Sequence, residues 1–189
     1  MVGIGGTVRT DSTTERSLKA ALASAQGSGA EVALYDGEFL AGLPHFSPSD
    51  PERTDEAATL VEAVRRADGL IVASPGYHAG ISGMVKNALD YLEDLKEDER
   101  PYLSGRAVGC IATGSGWQAT VSTLTSIRGI VHALRGWPTP LGATVTRTPD
   151  GDGQSDAKNR FQLETVGREV VQFGLLSRGA RETSLAGEL

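Results

Sequence analysis

Short runs of apolar residues alternate along this chain with longer segments of helical periodicity, and this alternation constrains the fold more than any other feature. The runs end at Ile4 or cover residues 31–36, 69–74, 107–112 and 141–145. Runs of this length, rich in β-branched residues and bounded by Gly or Pro, are typical of strands buried on both faces. The alternation therefore predicts βαβ units around a parallel sheet with helices on both sides.

The segments between the runs carry the start and stop signals of helices. Residues 12–15 form a capping box, and Gly27-Ser28-Gly29 ends the helix that follows it. The predicted helices cover 12–26, 54–67, 82–99, 117–134 and 160–176. No shift in composition divides the chain, so we predict one domain over residues 1–180, a surface turn over 148–153 and a disordered tail over 181–189.

Composition excludes several classes of protein. The 189 residues include 24 acidic and 18 basic side chains, a net charge of −6, which disfavours non-specific binding of nucleic acid. Cys110 is the sole cysteine, so an intrachain disulfide and a thiolate metal cluster are excluded. His45, His78 and His132 lie far apart and show no metal-ligand spacing. No apolar run is long enough to span a membrane, and no leader pattern is visible, so we predict a cytoplasmic, metal-free protein.

The loop after the first run is rich in glycine and hydroxyl groups. Gly5 and Gly6 allow a tight turn, and Arg9 adds a positive charge before the capping box. The loop matches neither GxGxxG nor Walker A. Its hydroxyl groups belong to Thr7, Ser12, Thr13 and Thr14. These groups at a helix N-terminus predict a phosphate site, and the alternative is a simple capped helix after a polar turn.

Two further loops follow the third and fourth runs. The loop 74–82 presents Tyr77 and backbone amides, which suit a flat heteroaromatic ligand, although the spacing alone favours the alternative, an ordinary strand-to-helix turn in which Tyr77 is a packing residue. The loop 113–116 consists of small residues that leave N–H groups open, and its alternative is a flexible turn. Trp117 and Trp137 are interpreted as core or interface residues.

Together these segments resemble the NADPH-dependent FMN reductase family. Residues 6–14 are similar to the family's phosphate loop, usually Gly-Ser-x-Arg-x-x-Ser-x-Asn/Thr/Ser, and residues 74–92 to its Thr/Ser-Pro-Glu-Tyr-Asn…Gly…Lys-Asn-Ala-Ile-Asp segment. Residues 43–46 resemble its Leu-Pro-x-Phe/Tyr turn. The resemblance implies an α/β fold: a flavodoxin-like three-layer sandwich with a five-stranded parallel sheet in the order 2-1-3-4-5 and helices on both faces.

The resemblance also implies which residues bind the cofactor FMN. Residues at the phosphate would be Thr7, Arg9, Ser12, Thr13 and Thr14; residues around the isoalloxazine ring would be Pro75, Gly76, Tyr77, His78 and Gly80; and residues on its pyrimidine side would be Thr113, Gly114, Ser115 and Gly116. Gly76 stands where the family commonly has Glu, and His78 where it has Asn. The side-chain contacts made by those two family residues are therefore not expected here.

The activity implied is hydride transfer from NADPH or NADH to the flavin, with no catalytic side chain and no metal. Reduced flavin would pass to an acceptor or to a flavin-dependent monooxygenase partner, and the chain would form a homodimer or homotetramer through the helix 82–99. Three alternatives stay open. They are a quinone or azo reductase with tightly bound FMN, a flavodoxin-type electron carrier, and a flavin-free binder of a phosphosugar or nucleotide.

Overall fold

Parallel strands form the centre of the molecule. The computed structural model describes residues 1–146 and 153–186. The sheet has the order β2-β1-β3-β5, with β6 and β7 both pairing with β5, and β4 pairing with the end of β3. The strands are β1 (Val2–Gly5), β2 (Ala33–Tyr35), β3 (Gly69–Tyr77), β4 (Gly80–Ile81), β5 (Ala107–Gly114), β6 (Trp137–Pro138) and β7 (Ala143–Thr146).

The predicted strand order is confirmed, but the fifth position of the sheet is divided between two short strands. β6 pairs with the beginning of β5 and β7 with its end, both in parallel register. Pro138 and Pro140 lack the N–H groups that a continuous ladder requires, so the strand is interrupted between them. The described residues therefore hold seven strands, counting β4, where five were predicted.

Helices cover both faces of the sheet, as the alternation predicted. They are α1 (Thr13–Gly27), α2 (Gly37–Gly42), α3 (Asp55–Arg66), α4 (Gly83–Asp90), α5 (Trp117–Ala133) and α6 (Gly153–Ala186). The helix predicted over 82–99 is shorter than expected, because α4 tightens into a 3₁₀ turn over Tyr91–Leu95. α2 was not predicted, since its six residues are too few to show a helical period.

The core lies in two layers, one on each side of the sheet. Side chains of β3 alternate between them: Leu70 and Val72 pack with α3, α4 and α5, whereas Ile71 and Ala73 pack with α1 and α6. All four are fully buried. This two-sided burial explains why the strands are continuous apolar runs rather than alternating patterns.

The last helix extends beyond both predicted ends. Packing near its C-terminus accounts for the extension: the Ser177 hydroxyl donates to the Gly105 carbonyl at 2.7 Å, and Arg181 pairs with Asp68 at 3.2 Å. Residues 181–186 of the predicted tail 181–189 belong to this helix, and the disorder of the tail stays a prediction. Residues 187–189, and residues 148–152 of the predicted surface turn, lie outside the described residues.

Candidate functional site

Three loops meet at one edge of the sheet, which we call the carboxyl edge. It is formed by the loops that follow β1, β3 and β5. Gly5 at the end of β1 lies beside Ala73, and Pro75 in β3 lies beside Thr113 in β5, all in parallel register. The three loops that the sequence singled out thus lie next to one another. Open parallel sheets commonly bind ligands at this edge, where the strand order reverses.

The first loop turns sharply off β1 against the start of α2. Gly5 and Gly6 have φ of 152° and 144°, and a Cβ on Gly6 would lie only 2.5 Å from the Gly37 nitrogen. Ser12 then caps α1, since its Oγ accepts the Glu15 N–H at 3.2 Å. Helix geometry leaves the preceding amides of α1 without acceptors inside the helix, so they can face a ligand.

The two arginines at this loop differ in their partners, since Arg16 is paired with Asp11 and Arg9 is not. Arg16 donates to the Asp11 carbonyl at 2.6 Å and to its carboxylate at 3.2 Å, which fixes the turn where Asp11 has a φ of 52°. Thr7 Oγ1 bonds to the backbone of Arg9. The Arg9 guanidinium is exposed and has neither an ion pair nor a hydrogen bond within residues 1–146 and 153–186. Arg9 is therefore the cation available to an anion at this loop.

The second loop is a hairpin rather than a simple strand-to-helix turn. β4 folds back antiparallel on β3, with Tyr77 opposite Gly80. The two residues at its tip, His78 and Ala79, have φ of 50° and 65°, a left-handed conformation that costs energy for residues with a Cβ. At its base, the Ser82 N–H donates to Ser74 Oγ at 2.9 Å. Tyr77 is 55% exposed, so the alternative that placed it inside is wrong.

The third loop leads into the N-terminus of α5. Gly116 is the N-cap residue and has no side-chain cap, so the first amides of α5 remain open. Apart from the adjoining chain, no described atom lies within 4 Å of a Cβ built on Gly116, which indicates open space beside it. Trp117 is 69% exposed at the same position, so of the predicted core or interface roles the core role is wrong, and the interface role stays a prediction. Sequence reasoning thus missed an aromatic ring at the mouth of the site.

Two of the loops are joined directly. The hydroxyl oxygens of Thr14 and Thr113 are 2.7 Å apart, and both residues are buried. The hairpin is also held by α5, because the Thr123 hydroxyl donates to the Gly80 carbonyl at 3.3 Å. No local pattern could have predicted these contacts, since each joins residues distant in sequence. The structure brings all the predicted site residues to this edge: Thr7, Arg9, Ser12, Thr13, Thr14, Pro75, Gly76, Tyr77, His78, Gly80, Thr113, Gly114, Ser115 and Gly116.

Other chemistry has little support in the described part of the chain. Within residues 1–146 and 153–186, no group of three or more His, Cys, Asp or Glu side chains is placed to bind a metal ion. Cys110 lies in the middle of β5, and burial raises the pKa of its thiol to about 12, so a reactive thiolate is disfavoured. No helix of these residues combines the length and apolar character needed to cross a membrane.

Solved structures with the same architecture identify the fold class. An oxidoreductase from Corynebacterium diphtheriae superposes with a TM-score of 0.73 at 18% identity, covering 92% of this chain and 96% of that one. A flavodoxin from the domain Archaea superposes with a TM-score of 0.64 at 10% identity, covering 92% and 99%. At these identities the likeness concerns the fold, and it confirms the predicted flavodoxin-like sandwich.

Sequence comparison identifies the family. The family model for NADPH-dependent FMN reductase matches residues 1–148, and the chain belongs to this family. The NADPH azoreductase of Bacillus sp. (strain OY1-2) is 29% identical over 130 residues, which cover 68% of this chain and 64% of that protein. The FMN-dependent NADPH-azoreductase of Staphylococcus aureus (strain USA300) is 35% identical over 117 residues, covering 62% and 57%. The matched part is thus less than two thirds of either relative. The predicted family and its cofactors, FMN and NADPH, are confirmed at the level of the family.

Proposed function

We propose that this protein is an NAD(P)H-dependent flavin reductase that transfers hydride from NADPH or NADH to FMN bound at the carboxyl edge. The observation that carries the proposal is the meeting of three donor-rich loops, after β1, β3 and β5, at the point where the strand order reverses. One loop suits a phosphate group, and the other two surround the space where a flat ring would lie.

The residues of the first loop fit the phosphate of FMN. The open amides at the start of α1 point their N–H dipoles toward an anion, and the hydroxyl of Thr13 lies among them. The guanidinium of Arg9, which has no partner among the residues that the structure describes, can form two parallel hydrogen bonds to phosphate oxygens. A dianion at this place would receive donors from a helix terminus, a hydroxyl and a cation.

The hairpin and the third loop fit the ring. The open space beside Gly116, together with the exposure of Tyr77, supports room for a planar group between the loops that follow β3 and β5. Bound FMN supplies hydride acceptance from a nicotinamide, which is chemistry that no side chain here provides. The amides of Ser115 and Gly116 would donate to the side of the ring that gains negative charge. We assign no catalytic side chain.

The decisive activity test is the oxidation of NADPH by purified protein with added FMN. We expect the absorbance at 340 nm to fall in proportion to protein concentration, and NADH in place of NADPH tests the nicotinamide preference. The Arg9→Ala variant at low FMN is the matched control, because it should slow turnover and recover at high FMN. Absence of nicotinamide oxidation at any FMN concentration would reject the proposed activity.

A second candidate is an azo or quinone reductase that retains FMN. The relatives from Bacillus and Staphylococcus aureus favour it, since both are azoreductases. Gel filtration separates the two candidates. Yellow protein after the column, with ping-pong turnover of an azo dye, supports retained FMN, whereas loss of colour with turnover of free flavin supports the reductase that releases it.

The partners of this reductase are proposals of the same kind. We propose a homodimer or homotetramer whose interface includes α4 and the following 3₁₀ turn, and a flavin-dependent monooxygenase as one recipient of reduced flavin. Sedimentation velocity tests the proposed oligomer, and a monomer at micromolar concentration would contradict it.

The proposed partner is tested by measuring substrate oxygenation by a flavin-dependent monooxygenase in the presence of this protein, compared with photoreduced FMN alone. The cytoplasmic location stays a prediction.

A further inference from the structure

The bond between Thr14 and Thr113 connects two loops that the sequence assigns to opposite ends of FMN. Thr14 lies in the first turn of α1, and Thr113 is the last residue but one of β5. Their hydroxyl oxygens are 2.7 Å apart, and the two residues are 2% and 3% exposed. Neither side chain is open to solvent, so the pair functions as a buried connection rather than as two exposed ligands.

This hydrogen bond fixes the start of α1 relative to β5. α1 follows β1, whereas Thr113 belongs to β5, and β3 lies between those two strands. The bond therefore ties the first turn of α1 to a strand two positions away. The amides at the start of α1 are thereby held at a fixed distance from the loop Gly114–Gly116.

Because both hydroxyl groups are buried, each depends on the other for its hydrogen bond. A buried hydroxyl that loses its partner remains desolvated without a hydrogen bond, which is unfavourable, so the chain can move to find water instead. Movement of this kind would displace the first turn of α1, since the lost contact lies in that turn. Thr113 is paired with Pro75 on one side and Val145 on the other in the sheet, so the amides of the helix turn, rather than β5 and its loop, would lose their position.

We propose that Thr113 is a positioning residue for the phosphate end of the site, acting through Thr14 on the N-terminus of α1. The proposal rests on FMN binding at the carboxyl edge. It differs from the role implied by family resemblance, a contact of Thr113 with the pyrimidine side of the ring. The two roles make opposite predictions for riboflavin, which has the ring but lacks the phosphate.

The test is a titration of FMN and of riboflavin, followed by quenching of flavin fluorescence, with wild type, Thr113→Val and Thr113→Ser. We expect Thr113→Val to weaken FMN binding roughly 5- to 20-fold, the scale of one lost hydrogen bond, and to change riboflavin binding less than about 2-fold. Thr113→Ser retains the hydroxyl and should restore the preference for FMN. Thr125→Val is the matched control, because Thr125 lies exposed on α5 and bonds only within that helix.

Thr14→Val removes the other half of the pair and tests the same connection if Thr113→Val does not fold. It should lower the ratio of FMN to riboflavin affinity by a similar factor, and the double variant should lose no more than either single one. Equal weakening of FMN and riboflavin, or no change in either, would overturn the positioning role while leaving FMN binding intact. Failure of the wild type to bind FMN would instead reject the proposed function, and this proposal with it.

Discussion

The two edges of the sheet are built in opposite ways. At the edge where the parallel strands begin, which we call the amino edge, Arg106 is 1% exposed and its guanidinium donates to the carbonyls of Arg65 at 2.7 Å and Ala67 at 3.1 Å. It also donates to the carbonyl of Tyr102 at 3.0 Å. At the carboxyl edge, the Arg9 guanidinium is exposed and has no such partner within the described chain.

The neighbouring elements show the same contrast. At the amino edge, Asp68 accepts from both Arg178 and Arg181, and burial, with a smaller contribution from the charge of Arg100, lowers the pKa of Arg106 to about 10. At the carboxyl edge, α5 begins without a side-chain cap and the hairpin tip is left-handed. At the amino edge the guanidinium groups of Arg106, Arg178 and Arg181 thus have partners inside the protein, although Nε and Nη2 of Arg100 are buried without a hydrogen-bond partner among the described residues. The carboxyl edge instead leaves donors open at its surface, as is typical of binding sites.

The largest expected effect tests the amino edge. Arg106→Met would leave several buried carbonyls without a donor, and we expect it to lower the free energy of unfolding by about 3–5 kcal/mol. FMN affinity of the folded protein should stay within about 2-fold, because the residue lies at the far edge. Urea unfolding and an FMN titration of the same variant measure both quantities. A large loss of FMN affinity with unchanged stability would reverse the assignment of the two edges.

The corresponding cation of the carboxyl edge should show the opposite pattern. Arg9→Ala is expected to weaken FMN binding by about 1.5–3 kcal/mol, the scale of a hydrogen bond to a charged group, and to leave the free energy of unfolding within about 0.5 kcal/mol. Riboflavin binding should not change, since riboflavin lacks the phosphate. Arg168→Ala, at an exposed arginine of α6, serves as the control. Unchanged FMN affinity in calorimetry would remove Arg9 from the phosphate site.

Between the two edges, the titration of the Cys110 thiol measures how completely water is excluded from the middle of β5. Burial raises the pKa of its thiol from 9.0 to about 12. The unfolded chain therefore loses the thiol proton first as pH rises. The stability that the neutral thiol contributes is fully present below pH 9 and decreases by about 1.4 kcal/mol per pH unit above it, until the folded pKa is reached.

Urea unfolding at pH 8 and pH 10 measures this effect. Cys110→Ala removes the thiol, so its stability should fall less steeply between the two pH values than that of the wild type, while tyrosines and lysines titrate equally in both. Two results would contradict the exclusion of water from β5. One is an equal change in the free energy of unfolding between pH 8 and pH 10 for the two proteins, and the other is rapid labelling of the native thiol at pH 8.

The smallest expected effect concerns the hairpin tip. Ala79 has a φ of 65°, so Ala79→Gly should relieve backbone strain and stabilise the protein by about 1 kcal/mol. Ala58→Gly, at an exposed position inside α3, is the matched control and should destabilise by a similar amount. Thermal unfolding of both variants checks the opposite signs. Destabilisation by Ala79→Gly would show that the left-handed tip carries no strain.

Local signals predicted much of the fold and of the candidate site. The capping box at Ser12 set the start of α1, and the continuous apolar run 69–74 set a strand buried on both faces. The hairpin was missed because His78-Ala79 lacks the Asn-Gly type of signal that left-handed turns usually show. The bond of Thr14 with Thr113 was missed because it depends on strand order, which is a property of the whole sheet.

Charged residues were the hardest to interpret from sequence. Arg106 precedes a strand and resembles an ordinary exposed cation, yet it is buried because two segments, 65–67 and 100–102, direct their carbonyls toward it. Arg9 carries the same charge and is exposed. The difference lies in the tertiary surroundings of each residue, which neither composition nor periodicity contains.

Two tryptophans of nearly equal exposure allow the central claim to be tested directly. Trp117 is 69% exposed at the carboxyl edge, and Trp137 is 68% exposed beside the first residue of β5, about 23 Å away along that strand at 3.3 Å per residue. FMN would be added to the flavin-free variants Trp137→Phe and Trp117→Phe while tryptophan emission is recorded. FMN at the carboxyl edge predicts strong quenching in Trp137→Phe, which keeps Trp117, and weak quenching in Trp117→Phe. Stronger quenching of Trp137 would place the flavin at the amino edge and contradict the account.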